Sequence, residues 1–178
     1  RAATSIGHGR AKWCRAKVVG IAGDGAKCRN ATARHNGPRG KRSPQLLEDV
    51  YTVQDCLVFA GMMNTLLNNC DVVKAACLAQ LVNVIAPIMT EKGGRTFRQT
   101  SFYPFRAIAN NASGCTVRAI SDSDTFENMY GSARCINEAV THDKTKREVC
   151  VSLCNYAQET RAVELELRSF GELSASEY

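Results

Sequence analysis

The chain has 178 residues, of which 44% are apolar and 22% are charged, and this composition excludes a disordered or fibrous protein. No apolar run reaches the roughly 18 residues that a bilayer-spanning helix needs, so we expect no membrane association. The net charge of +6 is unevenly spread, because residues 1–42 carry eleven Lys or Arg and one acid, whereas the remainder carries twelve bases and sixteen acids.

The first predicted elements are a strand and a helix. Residues 17–21, Lys-Val-Val-Gly-Ile, are a short apolar run that predicts a buried strand. Residues 22–43 hold Gly, Asn, Pro and basic residues with almost nothing apolar, and they predict a loop. From Thr52 onward, apolar residues recur at helical spacing, and Asp55 completes a pattern typical of a capping box. We expect this helix to end near residues 68–69.

The middle of the chain is harder to assign. Residues 74–82 could be helical by propensity, but their position between two helices also allows a buried strand. Residues 83–89 continue as an extended apolar loop, since Pro87 disfavours a helix there. Residues 91–94 predict a turn, and residues 100–111 predict a second helix that begins with aromatic residues.

After Gly114 the apolar residues alternate with polar ones, which is typical of half-buried strands. The stretches with this pattern are residues 116–120, 134–140, 148–153 and 162–167. Residues 143–146 predict a hairpin turn between two of these strands. The order of elements predicts the end of an α/β domain followed by a piece of a β-sandwich.

The basic segment and its glycines suggest phosphate ligands, but neither pattern is complete. A basic arm can bind nucleic acid by neutralising phosphates, yet no series of aromatic residues alternates with the arginines to stack bases. A P-loop needs Gly-Lys-Ser/Thr, whereas Gly25 is followed by Ala26, Lys27 and Cys28. We therefore favour a solvated segment, with no nucleic-acid or nucleotide partner.

Nine cysteines and three histidines offer no clear reactive or metal site. The cysteines are odd in number and form no Cys-x-x-Cys pair. Cys150 and Cys154 lie on a predicted strand, where four residues span about 13 Å, too far for neighbouring zinc ligands. His8, His35 and His142 lie in polar, loop-like surroundings. We interpret the cysteines as small apolar residues in a reducing compartment, and we expect no metal and no cofactor.

Carboxylates are the remaining candidates for catalysis. A retaining glycosidase needs two carboxyl groups about 5 Å apart, one as nucleophile and one as acid/base. Glu48, Asp49, Asp71 and Glu91 all lie beside the ends of predicted elements, where acids commonly serve the helix dipole. Their spacing does not single out a pair.

Four stretches between residues 46 and 105 resemble the alpha-L-arabinofuranosidases of glycoside hydrolase family 51. They read Leu-Leu-Glu-Asp-Val-Tyr-Thr-Val-Gln-Asp (46–55), Asn-Asn-Cys-Asp-Val-Val-Lys (68–74), Leu-Ala-Gln-Leu-Val-Asn-Val-Ile-Ala-Pro-Ile-Met-Thr-Glu-Lys-Gly-Gly (78–94) and Arg-Gln-Thr-Ser-Phe-Tyr-Pro-Phe (98–105). The third stretch is highly specific to the family, and the resemblance extends more loosely over residues 15–178.

The resemblance implies an α/β plus β fold: the C-terminal part of a (β/α)8 barrel, comprising its last two β/α units, followed by a β-sandwich piece. Residues 1–45 would hold the end of barrel strand seven (residues 17–21) and a basic loop. Residues 46–112 would hold the last barrel helix, strand and helix, with residues 74–82 as strand eight. Residues 113–178 would belong to the C-terminal β-sandwich.

The resemblance also implies where the chemistry would lie. The family's nucleophile follows strand seven in a tryptophan-rich motif. Asp24 matches this motif, but the nucleophile position holds Gly25 and the tryptophans are absent. Gln80 matches the glutamine that hydrogen-bonds arabinose in the family. The acid/base glutamate would precede the residues present here, so this chain would lack both catalytic carboxylates.

The resulting hypothesis is a fragment of an enzyme that removes terminal arabinofuranosyl groups from arabinan or arabinoxylan, inactive on its own. Its partner would be an arabinose-containing oligosaccharide, and the family implies a homo-oligomer, commonly a hexamer. We expect a cytoplasmic location, with an extracellular one as the alternative. The alternative is a non-catalytic carbohydrate-binding or assembly module.

Overall fold

The computed structural model describes residues 14–22 and 50–177. Its elements in chain order are β1 (Cys14–Ala22), α1 (Val53–Asn68), β2 (Ile88–Thr90), β3 (Thr96–Arg98), α2 (Phe102–Asn111), β4 (Cys115–Val117), β5 (Thr125–Asn128), β6 (Gly131–Arg134), β7 (Ile136–Asp143), β8 (Glu148–Asn155), a 3₁₀ turn (Arg168–Phe170) and β9 (Leu173–Glu177). The described strands form a five-stranded sheet in the order β4-β7-β8-β1-β9 and two hairpins, β2–β3 and β5–β6.

Helix α1 begins where its sequence predicts. Thr52 is the N-cap, and its side chain accepts a hydrogen bond from the backbone amide of Asp55. The Asp55 carboxylate in turn accepts from the Thr52 amide at 2.7 Å, which completes the capping box. The helix ends at Asn68 with Asn69 as C-cap, in agreement with the predicted end.

Removing this cap should weaken the fold modestly. We expect Thr52→Ala to lower the free energy of unfolding by about 1 kcal/mol, because it removes the side-chain oxygen that satisfies a free amide of the first helical turn. Urea unfolding followed by circular dichroism measures the loss. Thr52→Ser keeps the hydroxyl and should lie close to the parent chain, so equal losses in the two variants would contradict the capping role.

The β7–β8 hairpin forms the centre of the sheet. Its antiparallel register runs from Ile136 opposite Asn155 to Asp143 opposite Glu148. Asp143 closes the turn, because its Oδ1 accepts from the backbone amides of Thr145 at 3.0 Å and Lys146 at 2.9 Å. The bond from the Lys146 amide is the main reason that the pKa of Asp143 is lowered. The predicted turn at residues 143–146 is therefore confirmed.

The two faces of this hairpin differ in character. One face carries Val140, Val149 and Val151, which are buried and form the apolar core. Leu153, Leu167, Phe170 and Leu173 pack against them. The opposite face carries small or polar buried residues, because side chains alternate along a strand. These residues are Ala139, Thr141, Cys150, Ser152 and Cys154.

Helix α1 packs on the small-residue face through polar contacts. Asn64 is fully buried, and its Nδ2 donates to Oδ1 of Asn137 at 2.9 Å. Nδ2 of Asn68 donates to the backbone carbonyl of Glu138 at 2.8 Å. These amides join the helix to β7 across about 70 residues of sequence, so the helix and the sheet form one packed unit.

The residues expected to be barrel strand seven do form a strand, but with partners that the resemblance did not imply. β1 lies between β8 and β9 and runs parallel to both. Backbone amides and carbonyls require hydrogen-bond partners, and in the described part of the chain these two strands supply them. The place of β1 in a barrel therefore stays a proposal.

Two further stretches predicted as strands, unlike residues 17–21, do not form strands. Residues 74–82 are irregular, with a single isolated bridge between Val82 and Ile88. Residues 162–167 are also irregular despite their alternating pattern. A strand is stabilised by its neighbours, and neither segment pairs with a ladder in the described residues. Helix α2, in contrast, lies within the predicted residues 100–111.

Candidate substrate-facing loop around Gln80

Gln80 lies in the irregular segment between α1 and β2. Its side chain is exposed, and its neighbour Leu81 is 73% exposed. The peptide bond between Ala79 and Gln80 is cis. Because Gln80 is an exposed residue, its side-chain amide is accessible to a ligand, to which it can donate and from which it can accept hydrogen bonds.

The loop that follows Gln80 is closed by Asn83. The Asn83 backbone amide donates to the carbonyl of Ile88 at 2.8 Å, and its Oδ1 accepts from the amide of Thr90 at 2.7 Å. Asn83 and Val84 both have φ near +62°. Because a β-branched residue rarely adopts this region, the surrounding bonds must hold Val84 there.

Two residues distant in sequence hold the tip of this loop. The Tyr51 hydroxyl donates to the carbonyl of Ile85 at 2.6 Å, and Nε2 of Gln99 donates to the carbonyl of Ala86 at 2.9 Å. The Gln99 backbone amide donates to the carbonyl of Pro87 at 2.8 Å. Gln99 is only 6% exposed, so these bonds are shielded from water.

Gln80 is therefore an exposed residue at the start of a pinned loop, that is, a loop whose tip at residues 85–87 is fixed by hydrogen bonds. A pinned loop orients a hydrogen-bonding group with little entropic loss on binding. An amide has no titratable proton at neutral pH, so Gln80 can bind a polar ligand such as a sugar but cannot act as a general acid or a nucleophile.

The structure leaves the other predicted site positions apart or undescribed. Asp24, Gly25, Glu48, Asp49, His8 and His35 lie outside the described residues. Asp71 and Glu91 are exposed in turns. The expectation for His142 is wrong: it lies on β7, and its ring contacts that of Phe170 edge-on, with centroids 5.1 Å apart.

Burial makes the thiols of Cys56, on α1, and Cys154, on β8, poor nucleophiles. It raises the pKa of Cys154 to about 11 and is also the cause of the raised pKa of Cys56. Sγ of Cys154 lies 3.5 Å from the backbone carbonyl of Leu57 and donates to it. Cys135, Cys150 and Cys154 are buried, as small apolar residues commonly are, whereas Cys70, Cys77 and Cys115 are exposed.

The residues that hold the loop were not identified from spacing. Tyr51, Asn83 and Gln99 are isolated polar residues among others, and no periodic pattern marks them. All three lie within the stretches that carry the family resemblance, and only that resemblance could have identified them as candidates from the sequence.

Within residues 14–22 and 50–177, no group of three or more His, Cys, Asp or Glu is arranged to hold a metal ion. No described helix combines the length and apolar character that crossing a bilayer requires.

Comparison with known proteins gives one family match and several relatives. The family model for the alpha-L-arabinofuranosidase C-terminal domain matches residues 28–178. An intracellular exo-alpha-(1->5)-L-arabinofuranosidase of Halalkalibacterium halodurans is 42% identical over 130 residues, which cover 72% of this chain and 26% of the relative. An exo-alpha-(1->6)-L-arabinofuranosidase of Bifidobacterium longum is 56% identical over 97 residues, covering 53% of this chain and 19% of the relative.

A solved structure agrees with these relatives. AbfB, a family 51 alpha-L-arabinofuranosidase from Bifidobacterium longum, matches with a TM-score of 0.55 and 47% identity. The match covers 58% of this chain and 21% of AbfB. The chain thus spans about a fifth to a quarter of the proteins it resembles.

Proposed function

This chain belongs to the alpha-L-arabinofuranosidases of glycoside hydrolase family 51, and from this premise we propose that it supplies the C-terminal portion of such an enzyme without its catalytic carboxylates. The substrate class would be oligosaccharides with terminal arabinofuranosyl groups, as the names of the relatives suggest. The observation that carries the proposal is the exposed Gln80 amide at the entry of the pinned loop.

Gln80 would hydrogen-bond the bound sugar. An exposed amide can serve two sugar hydroxyls at once, as donor and acceptor. The bonds from Tyr51 and Gln99 to the carbonyls of Ile85 and Ala86 would keep the neighbouring backbone in place while the sugar binds. This role is proposed from the family resemblance at residues 78–94 together with the exposure of the side chain.

The chain alone would not catalyse hydrolysis. A retaining mechanism forms a glycosyl ester on a carboxylate, with a second carboxyl group about 5 Å away. By the family resemblance Gly25 would stand at the position of the nucleophile, and glycine has no side chain to form an ester. The barrel that holds such a site needs about 200–250 residues, and we propose that residues 1–112 correspond to its last two β/α units.

We expect the purified 178-residue chain to release no nitrophenolate from 4-nitrophenyl alpha-L-arabinofuranoside above the rate in buffer. Full-length AbfB from Bifidobacterium longum, assayed alongside, is the positive control. Turnover by the chain with retention of anomeric configuration would refute the proposal. It would require a carboxylate nucleophile, whereas the proposal places a glycine, Gly25, at that position.

The packed unit of α1 and the sheet favours one alternative, a non-catalytic carbohydrate-binding or assembly module. One hydrogen bond contributes about 0.5–1.5 kcal/mol net, whereas binding with a millimolar Kd needs about 4 kcal/mol. The contact with Gln80 alone is therefore too weak for measurable sugar binding, and we expect no saturable shift of the unfolding midpoint with L-arabinose. A saturable shift that Gln80→Ala abolishes would favour the module instead.

Location and assembly follow from the same assignment. We propose a cytoplasmic location, because the Halalkalibacterium halodurans relative is named an intracellular enzyme. A homo-oligomer, commonly a hexamer in this family, and the absence of a nucleic-acid partner or a cofactor stay proposals. Flat salt dependence of any weak binding to DNA would argue against the basic arm as a nucleic-acid site.

A further inference from the structure

The segment 162–167 has the sequence of a strand but pairs with no strand among residues 14–22 and 50–177. Val163, Leu165 and Leu167 alternate with Ala162, Glu164 and Glu166, the pattern of a strand with one buried face. In the structure Val163 is 43% exposed and Leu165 is 37% exposed, whereas Leu167 already packs against the apolar core. One end of the segment therefore touches the core while the rest lies in solvent.

The chain already turns back after β8. Nδ2 of Asn155, the last residue of β8, donates to the carbonyl of Glu159 at 2.9 Å. Oδ1 of Asn155 accepts from the amide of Ala157 at 3.0 Å. Asn residues commonly close turns in this way, so the residues after Glu159 are directed back toward β8.

The edge of β8 that such a hairpin would use is occupied by β1. Arg15 to Ala22 pairs in parallel with Glu148 to Asn155, although β7, between β4 and β8, is antiparallel to both. The connection between β1 and β8 runs through residues 23–147, whereas the connection from β8 to Ala162 is six residues long. Short antiparallel connections are cheaper to close than long parallel ones.

We propose that the edge of β8 has two alternative partners within this chain, β1 and the segment 162–167. When β1 leaves the sheet, Val163 would pair with Leu153, Leu165 with Val151 and Leu167 with Val149. This register places all three apolar side chains on the core face, where Leu167 already lies. The biological use of the exchange rests on the proposed function, in which β1 joins a barrel, but its test does not.

Amide hydrogen exchange of the full 178-residue chain, read by mass spectrometry, tests whether the segment 162–167 replaces β1 at the edge of β8. Val19→Pro removes a backbone donor from β1 at the residue that pairs with Ser152 of β8. We expect amides 163–167 to exchange about tenfold more slowly than in the parent, while residues 14–22 lose protection. Val19→Ala keeps the donor and should leave both segments unchanged.

A second variant covers the case in which Val19→Pro unfolds the sheet, which loss of protection at β7 and β8 would reveal. Replacing Glu164 and Glu166 together by Thr raises the strand propensity of the segment without touching β1. We expect protection to move from residues 14–22 to residues 163–167. Unchanged protection of both segments in this variant, or unprotected amides 163–167 in a folded Val19→Pro chain, would overturn the proposal. Neither readout depends on arabinofuranosidase activity.

Discussion

Replacing Gly114 by alanine is expected to cost about 2–5 kcal/mol of unfolding free energy, the sum of a backbone penalty and a steric clash. Gly114 has φ of +84°, and an added Cβ would lie 2.3 Å from the carbonyl oxygen of His142 and 2.6 Å from the Cα of Asp143. Both atoms belong to the backbone of β7. Since backbone atoms cannot rotate aside, β4 would have to separate from its partner strand.

Gly93→Ala is the matched control for this substitution. Gly93 also has positive φ, at +68°, but nothing lies within 4 Å of the added Cβ. Only the conformational penalty remains, about 1–2 kcal/mol. Chemical denaturation of both variants separates the two effects, and equal losses would show that β4 does not approach β7 as closely as described.

The second large effect is expected at Asn64, where aspartate should cost about 3–5 kcal/mol at neutral pH because its charge would be buried without a partner. The Asn64 side chain is fully buried, and its Nδ2 faces two oxygens, Oδ1 of Asn137 at 2.9 Å and the Asn137 carbonyl at 3.4 Å. A carboxylate there would place negative charge against two acceptors, and both contacts would become repulsive.

The penalty of Asn64→Asp should depend on pH in a defined direction. Burial raises the folded-state pKa of such a carboxyl above its unfolded value, so the folded state binds the extra proton more readily. The loss is therefore full above the folded pKa and shrinks as the pH falls through it. Unfolding at pH 5 and pH 8 measures the difference. Asn110→Asp, at an exposed position of α2, is the control, and an equal pH response in the two variants would contradict the buried geometry.

Local signals predicted the elements that depend on neighbours in sequence. Helix α1 follows from the Thr52 and Asp55 capping box and its apolar spacing. The β7–β8 hairpin follows from alternation and from a turn that Asp143 closes. Hairpin β5–β6 was missed because its eight residues are mostly exposed and do not alternate. For α1 and for the β7–β8 turn, the interactions that decide the structure lie within a few residues of one another in sequence.

Pairing between distant strands could not be predicted in the same way. Residues 17–21 are apolar enough to predict a strand, but their sequence does not specify β8 and β9 as neighbours. Residues 162–167 alternate as clearly as β8, yet they form no ladder with any described residue. For the candidate site, Gln80 came from resemblance alone, since one exposed amide has no physical signature in sequence.

Because the two faces of β7 and β8 differ in character, they should tolerate different amino-acid substitutions over evolutionary time. Toward α1, at Ala139, Ser152 and Cys154, the constraint is volume: alanine, serine and cysteine can replace one another, while a leucine would lift the helix away. Toward Val149 and Val151 the constraint is avoidance of water, so aliphatic residues of different shape can interchange if their neighbours adjust. A lineage that loses its catalytic groups would still keep this two-sided pattern for as long as the domain must fold.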